Sequence, residues 1–469
     1  MTDRGTARDS IADGERLADG ERGADGRSGA GGLDRAGPAR GGVLRDPAFR
    51  QLWAGMAVSK LGTSIAAVAT PLIAVQMLDA SAFLVSLLTA AAWLPWLLIG
   101  LPAGAWLDRV ARRPVMLAAD LVSAAVVVTV PVAAALGVLT MTHLLVVALL
   151  LGAASVFFTV AWTAYLPAMF DKGRLVEANS FLQGTESAAQ VAGPAIGGAL
   201  VSAVSAVAGL VADAVSFLVS TVFLWRIRRP ERHPAPAAGH DPAGSDPAAG
   251  PAPGIGREIA TGVRWLARDR YLRNLTVHGA SANLWLTGLN ALTIVFLVRD
   301  VGVGTTGVGL LLALTSVGGV GAAAAAPALS RRFGTARTLV ACKVSAGVAS
   351  LLVPLTTPGP GLAAFVAGMV GVGFGVVAGN VLAGSFRQAY CPPEILGRVV
   401  TGMQFVNLGT IPLGAVLAGA LASLAGVRGA LTIMTIGYAV SGALLLLGPL
   451  RGRHDLPATP HPAPTSQPA

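Results

Sequence analysis

Apolar residues make up 54% of the 469 residues, charged residues only 12%, and the mean hydropathy is +0.66, outside the range of soluble globular domains. The formal net charge of +10 comes from basic residues scattered through short connections between apolar runs. They form no groove or aromatic-interleaved patch, which excludes nucleic acid as a partner. The composition indicates a protein that crosses a lipid bilayer many times.

Residues 1–46 precede the first long apolar run and are polar and rich in glycine. A short Ala-Asp-Gly motif recurs at Ala12, Ala18 and Ala24, and acids balance bases, so we predict a disordered cytoplasmic tail. The segment has no apolar core of the kind found in signal peptides. Because Arg45 and Arg50 lie just before the first apolar run, that span is expected to begin in the cytosol.

From Trp53 onwards, apolar runs of about 20 residues, long enough to cross roughly 30 Å of hydrocarbon, alternate with short breaks. They predict an all-α integral membrane protein with about twelve transmembrane helices. The spans of a first bundle, residues 47–226, fall near 53–78, 83–106, 115–137, 143–166, 176–200 and 206–226. Those of a second bundle, residues 274–450, fall near 274–298, 307–329, 338–356, 361–386, 397–422 and 428–449.

Basic residues concentrate in the connections on one side of the predicted membrane, whereas the short connections on the other side carry only Arg299 and Arg428. Since basic residues are retained on the cytosolic side, the first set is predicted to be cytosolic, with both termini inside. That set consists of Arg109, Arg112, Arg113, Lys172, Arg174, Arg331, Arg332, Arg337, Arg387 and Arg398.

Residues 227–273, between the two bundles, are predicted to be a cytoplasmic linker with two parts. The first part is rich in Pro, Ala and Gly and should be flexible. In the second, Ile255, Ile259, Val263 and Leu266 recur at helical spacing among arginines. This pattern favours an amphipathic helix on the inner membrane surface, with a plain solvated helix as the alternative. The Pro-rich residues 451–469 predict a second disordered tail.

The two bundles carry similar sequences, as expected if six spans were duplicated. Repeats of this kind build transporters with a central site at the interface between the repeats. Aligning the fifth span with the eleventh pairs Gln183 with Gln404, Glu186 with Asn407, and Gly193 with Gly414.

The charged turn after the second span, GAWLDRVARRPVM, resembles the hinge motif of the major facilitator superfamily, with Ala111 in place of the usual Gly. The matching residues are Gly104, Asp108, Arg109, Arg112 and Arg113. GPAIGG in the fifth span resembles the antiporter motif of drug and metabolite exporters in that superfamily, through Gly193, Pro194, Gly197 and Gly198. Together with LVEANSFLQG and VADAVSFLVS, the resemblance covers about residues 47–450. The chain is similar to the branch of the superfamily that contains bacterial enterobactin exporters and macrolide efflux proteins. It implies the major facilitator fold, with two six-helix bundles.

Asp108 lies at the carboxyl end of the second predicted helix, where the helix dipole disfavours a carboxylate, so it needs a positive partner such as Arg112. The resemblance implies a lock between this motif and the start of the eleventh span at Pro392, which holds the inner ends together while the outside is open. Ser330 replaces the Asp in the second copy, so the predicted gate is asymmetric. The alternative is that these charges only set orientation.

The antiporter-like motif has a physical interpretation of its own. Pro194 removes a helix hydrogen bond, and the flanking glycines remove side chains, so the fifth span is predicted to bend and to admit a close partner helix. Ordinary small-residue packing is the alternative and is compatible with the same role.

Gln183 and Glu186 share one face of the fifth predicted helix, and Gln404 and Asn407 share the equivalent face of the eleventh. Two polar faces related by the repeat predict a shared aqueous cavity. Glu186 lies near the bilayer midplane, where a charged carboxylate is costly, so it is the candidate for proton coupling. A permanently hydrogen-bonded structural Glu is the alternative.

In the resembled superfamily the first, fourth, seventh and tenth helices line the cavity. Lys60 would either attract an anionic group or pair with Glu186, and asparagines in such helices often only bridge neighbours. Lys343 is expected to form a structural pair on a peripheral helix, and His278 to be a satisfied interface residue. The substrate-contact candidates that the resemblance implies are Lys60, Asn283, Trp285 and Asn290.

The sequence contains no phosphate-binding Gly-Lys-Ser/Thr loop, HExxH motif or nucleophile elbow, so neither an ATP-driven pump nor an enzyme is expected. Cys342 and Cys391 lack metal-ligand spacing, and no metal or cofactor is predicted. The prediction is a monomeric secondary transporter of the cell membrane, which uses the proton gradient to export a small hydrophobic or amphipathic drug, siderophore or secondary metabolite. The alternatives are an importer or facilitator of a small solute, and a membrane-embedded enzyme or scaffold without flux.

Overall fold

The computed structural model describes residues 43–107, 110–170, 172–227 and 264–457, and the regular structure within these ranges is entirely helical. The first half contains α1 (Pro47–Gln76), α2 (Ala82–Leu107), α3 (Arg112–Ala135), α4 (Met141–Met169), α5 (Lys172–Ala203) and α6 (Ala206–Arg226). The second half contains α7 (Arg270–Val295), α8 (Thr305–Thr315), α9 (Val317–Phe333), α10 (Thr335–Ser350), α11 (Leu362–Tyr390) and α12 (Pro393–Ala443).

Several helices begin where the sequence supplies a capping side chain. The Asp46 carboxylate accepts hydrogen bonds from two N–H groups in the first turn of α1, and Pro47 follows at the first helical position. Asp269 does the same for α7, and the Thr140 hydroxyl accepts from one N–H group of α4. These bonds satisfy N–H groups that have no partner within their own helix.

Ten helical stretches of the described residues are long and apolar enough to cross a membrane. α8 and α9 together form one of them, and α12 is counted once although it has 51 residues and is broken at Gly426, where φ is 73°. α5 is not among the ten, and it carries polar side chains such as Gln183 and Glu186. The all-α membrane fold is therefore confirmed, whereas the count of about twelve crossings stays a prediction.

Helix pairs hold each half together. In the first half α1 packs against α5 and α6, α2 packs against α4, and α3 packs against α4 and α6. In the second half α7 packs against α12, and α11 packs against α9 and α10. The halves meet where α2 packs against α12 and where α5 packs against α8.

The apolar core is shared at one end of the molecule and divided at the other. We call the end where α1 stops and α2 begins the Asp79 end, which is the predicted extracellular end, and the opposite one the Arg112 end. At the Asp79 end a single cluster joins both halves, with Leu72 of α1 and Leu292 of α7 among its members. At the Arg112 end each half has its own cluster. Among the described residues, the halves therefore share an apolar core at the Asp79 end and have separate cores at the Arg112 end.

Three predicted boundaries need correction. Ordered structure begins before residue 47, because Val43 is fully buried and its N–H donates to Glu177 Oε1 at 3.0 Å. α7 begins at Arg270 and not at 274, because Asp269 caps it there. The predicted tail is ordered up to residue 457, since His454 and Asp455 bond to the start of α10. Of the predicted amphipathic helix, only residues from 264 onwards are described, and Leu266 there is buried within the second half.

Candidate transport site

A salt bridge joins α1 and α5 near the midpoint of both helices. Lys60 Nζ lies 2.7 Å from Glu186 Oε2, and Gln190 Nε2 donates to Glu186 Oε1 at 3.3 Å. The Lys60 and Glu186 side chains remain 43% and 31% exposed, so the protein does not enclose the pair completely. Of the two options that the sequence left open for Lys60, the structure has the pairing. Gln183, on the same helix, is exposed.

A cavity of about 300 Å³ lies in the second half, among α7, α10, α11 and α12. Three predicted site residues line it, namely Asn283, Gln404 and Asn407, and Asn283 Nδ2 donates to the backbone carbonyl of Asn407 at 3.3 Å. The Asn407 side chain packs against α7 at Gly279, where a Cβ would lie 2.9 Å from Asn407 Oδ1. Asn407 is thereby held against α7.

Other predicted contact residues do not line this cavity. Lys60, Gln183 and Glu186 are absent from its wall, so the shared cavity predicted for the two polar faces is not this one. Trp285 packs against Gly437 and beside Tyr438, within the second half. Asn290 is exposed on α7, away from the cavity.

Sequence reasoning missed the basic residues of the cavity wall. His278, Lys343 and Arg387 all line it, although Lys343 was expected on a peripheral helix. Lys343 reaches inward because α11 has no side chain at Gly379, where a Cβ would overlap the Lys343 methylene groups. Gly375, one turn earlier, contacts the α10 backbone at Cys342. A pair of glycines four residues apart in α11 was the signal that favoured this close approach.

The glycines of the antiporter-like motif each face a neighbouring helix. Gly193 contacts Ser64 of α1, and a Cβ on Gly197 would lie 3.2 Å from the backbone oxygen of Ile65. Gly198 faces the other half, where a Cβ would lie 2.7 Å from the Cα of Gly309 on α8. The motif therefore brings α5 close to α1 on one side and to the second half on the other.

The hinge motif is described in part, because Asp108 and Arg109 lie outside the described residues. A Cβ on Gly104 would meet nothing within 4 Å. Arg112 is the first residue of α3, and Arg113 donates to the backbone carbonyls of Leu224 and Trp225 at 3.0 and 2.6 Å. Arg113 thus satisfies carbonyl groups at the carboxyl end of α6, where a cation is favoured.

At the Asp79 end a salt bridge connects the halves. Arg299 Nη2 lies 2.6 Å from Asp79 Oδ1. Close to it, a Cβ on Gly419 of α12 would lie 3.0 Å from the Cα of Phe83 on α2. Together with the shared core, these contacts hold the two halves against each other at the Asp79 end. Among the described residues, no group of three or more His, Cys, Asp or Glu side chains is arranged to hold a metal ion.

Two bundles of apolar helices, whose described residues share a core at one end, define a multi-pass membrane transporter of the major facilitator type. The chain belongs to the transmembrane secretion effector family of this superfamily, which it matches over residues 42–466. It is a transporter and not an enzyme.

Two relatives are named for efflux. The multidrug efflux pump Tap of Mycolicibacterium fortuitum is 26% identical over 421 residues, covering 89% of this chain and 99% of Tap. Macrolide efflux protein A of Streptococcus pyogenes is 24% identical over 183 residues, covering 39% of this chain and 45% of that protein. The likeness to Tap thus extends over both bundles.

Solved structures share the fold at low identity. A bacterial homologue of the iron transporter ferroportin, in an inward-facing state, has a TM-score of 0.67 at 16% identity. The alignment covers 88% of this chain and 100% of that homologue. The nucleoside transporter NupG has a TM-score of 0.64 at 12% identity, covering 85% of this chain and 97% of NupG.

Proposed function

We propose that the protein is a secondary active exporter, which moves a small hydrophobic or amphipathic compound out of the cell in exchange for protons. The salt bridge between Lys60 and Glu186 is the observation that carries this proposal. A carboxylate near the middle of a membrane bundle is costly to keep charged without a partner. Protonation of Glu186 removes the negative partner of Lys60. Proton binding therefore changes the net charge of the proposed transport path. The proton gradient supplies the energy, and no cofactor takes part.

The cycle we propose is alternating access by rocking of the two bundles, residues 47–226 and 274–450. The shared core and the salt bridge between Asp79 and Arg299 support a closed outer side and a path open to the cytosol. Opening the outer side requires α5 to separate from α8, and α2 from α12. The hinge motif around Asp108 would then lock the inner side.

Export is supported by the two relatives, each of which is named for efflux. We assign the protein to the cell membrane as a monomer. Both termini are assigned to the cytoplasm, because basic residues concentrate at the Arg112 end.

The test is a panel of toxic compounds in a host that lacks its own pumps. The intact protein should raise the tolerated concentration of at least one compound several-fold, and a protonophore should abolish this effect. Glu186→Gln should lose it. Glu177→Gln, the matched control on α5, should retain it, because an amide oxygen can still accept the hydrogen bond from Val43.

Two results would overturn the proposal. If no compound is extruded, or if uptake follows the concentration gradient and ignores the protonophore, the protein is not an exporter. If Glu186→Gln exports as well as Glu177→Gln, protons are not coupled through Glu186.

A further inference from the structure

Three basic side chains, His278, Lys343 and Arg387, line the 300 Å³ cavity of the second half. Its wall, as far as the described residues form it, contains no carboxylate. The remaining polar groups of the wall include the side-chain amides of Asn380 and Asn407. The volume is at the lower end of the range of small-molecule sites. The charged groups of the described cavity wall are therefore all basic, and the cavity is large enough for a small ligand.

The two strongly basic side chains have no counter-charge in the described part of the chain. Lys343 Nζ donates to the neutral Asn380 Oδ1 at 3.0 Å. No described carboxylate comes within the 4.0 Å of a salt bridge to Lys343 or Arg387. Lys343 lies about 12 Å along α10 from Thr335. Because an unpaired cation at that depth is costly, an anionic group in the cavity would stabilise the fold around it.

His278 adds a hydrogen-bond acceptor. Only 4% of this residue is exposed, and its Nδ1 lies 2.9 Å from the backbone carbonyl of Ser441. A carbonyl only accepts, so Nδ1 carries the hydrogen and Nε2 presents a lone pair when the ring is neutral. Nε2 is buried without a hydrogen-bond partner, as is Asn407 Oδ1. Two residues that line the cavity together with Lys343 and Arg387 therefore each carry a buried acceptor without a donor.

We propose that this cavity binds the carboxylate or phosphate group of a molecule that also carries a neighbouring hydroxyl group. The anionic oxygens accept hydrogen bonds from Lys343 and Arg387. The hydroxyl group donates to His278 Nε2. The site is distinct from the pair of Lys60 and Glu186, which does not line the cavity. It concerns binding alone and does not rest on the proposed export.

The experiment measures binding of three matched probes to the purified full-length protein in neutral detergent, by calorimetry. Salicylate has the anion and the neighbouring hydroxyl, benzoate has only the anion, and salicylamide has the hydroxyl without the charge. Salicylate should bind several-fold more tightly than benzoate and at least tenfold more tightly than salicylamide. This comparison requires no variant, so it survives any folding defect.

Variants then locate the site. Lys343→Gln and Arg387→Gln should each weaken salicylate binding about tenfold, the loss of one charge-assisted contact. Arg337→Gln, which removes an exposed arginine of the same helix α10, should leave binding unchanged.

A lipid arm repeats the titration in nanodiscs. If phosphatidylglycerol competes with salicylate and phosphatidylcholine does not, the natural anion is a lipid headgroup, whereas absence of competition supports a free acid.

The proposal is overturned if salicylate does not bind saturably, or if salicylamide binds as well as salicylate. It is also overturned if both Lys343→Gln and Arg387→Gln bind salicylate like Arg337→Gln. Because no gradient or flux is involved, these outcomes are independent of whether the protein exports anything.

Discussion

Ser316 Oγ donates a hydrogen bond to the backbone carbonyl of Gln190 at 3.2 Å, across the interface between the halves. In a regular helix that carbonyl would accept from the N–H group four residues later, but Pro194 occupies that position and has no N–H. Ser316 itself lies at the break between α8 and α9. The Gln190 carbonyl, which Pro194 leaves without its helical donor, thus lies within hydrogen-bond distance of a hydroxyl in the other half. The Leu312 carbonyl lies 3.3 Å from the same hydroxyl.

Ser316→Ala should therefore destabilise the protein by about 0.5–1.5 kcal/mol, the usual net contribution of a hydrogen bond. Pro194→Ala restores the N–H group, so the same serine substitution should cost less in that background. Thermal unfolding of the four proteins of this cycle measures the coupling. Ser330→Ala is the control, because its hydroxyl bonds to Pro327 within α9. An equal cost of Ser316→Ala in both backgrounds would show that the freed carbonyl is not what Ser316 satisfies.

The pair of Lys60 and Glu186 should matter for transport far more than for stability. Partly exposed salt bridges contribute about 0–1 kcal/mol, so Lys60→Gln and Glu186→Gln should unfold at nearly the temperature of the unsubstituted protein. Each should nevertheless lower efflux by about tenfold or more, because either change removes the charge that protonation is proposed to control. The double variant should be no worse than the single ones, since both act on one interaction. Efflux assays on membranes with equal protein content test this, and additive losses would contradict it.

The approach of α5 to α8 should depend on the absence of a side chain at Gly309. A Cβ on Gly309 would overlap the backbone oxygen of Pro194 and lie 2.6 Å from the Cα of Gly198, so Gly309→Leu forces the two halves apart. We expect a cost of about 1–3 kcal/mol from overpacking and a loss of transport. Gly321→Leu, on the adjacent helix α9, should change stability by no more than about 0.5 kcal/mol, because a Cβ there meets nothing within 4 Å. Cysteine accessibility at the Asp79 end should rise in the first variant and not in the second.

The sequence predicts helices and halves well because both depend on local pattern. A run of apolar residues of bilayer length is helical wherever it occurs in a membrane, and repeated motifs identify the halves. Which face of a helix points where is a tertiary property. Trp285 lies on the predicted cavity helix, yet its indole occupies the space left by Gly437. Lys343 lies on a predicted peripheral helix, yet its side chain passes over Gly379 of α11 and reaches the cavity. The sequence thus assigns each of these residues to a helix, but it does not determine which neighbour the side chain faces.

A second feature beyond the reach of local pattern is the cap of α10. Gly334 precedes this helix and has no side chain to cap it, so the first N–H groups need partners from elsewhere. The N–H and hydroxyl groups of Thr335 donate to Asp455 Oδ1 at 2.9 and 3.2 Å, and the N–H of Ala336 donates to the His454 carbonyl. The residue that caps the helix thus comes from 120 positions away.

Asp455→Ala should release the segment that follows α12. The hydrogen bonds from the His454 ring and from Thr335 hold the pKa of the Asp455 carboxyl below its ordinary value of 3.8. A lowered pKa in the folded protein means that docking is strengthened above the ordinary value and is lost as the pH falls through the lowered one. Docking should therefore weaken in strong acid, as the pH falls through the lowered pKa of the Asp455 carboxyl. Hydrogen–deuterium exchange at Thr335 and Ala336 should accelerate at pH 7 in Asp455→Ala. It should stay slow in His454→Ala, which keeps the backbone carbonyl and the carboxylate. Equal protection in Asp455→Ala and the unsubstituted protein would show that the carboxylate does not cap α10.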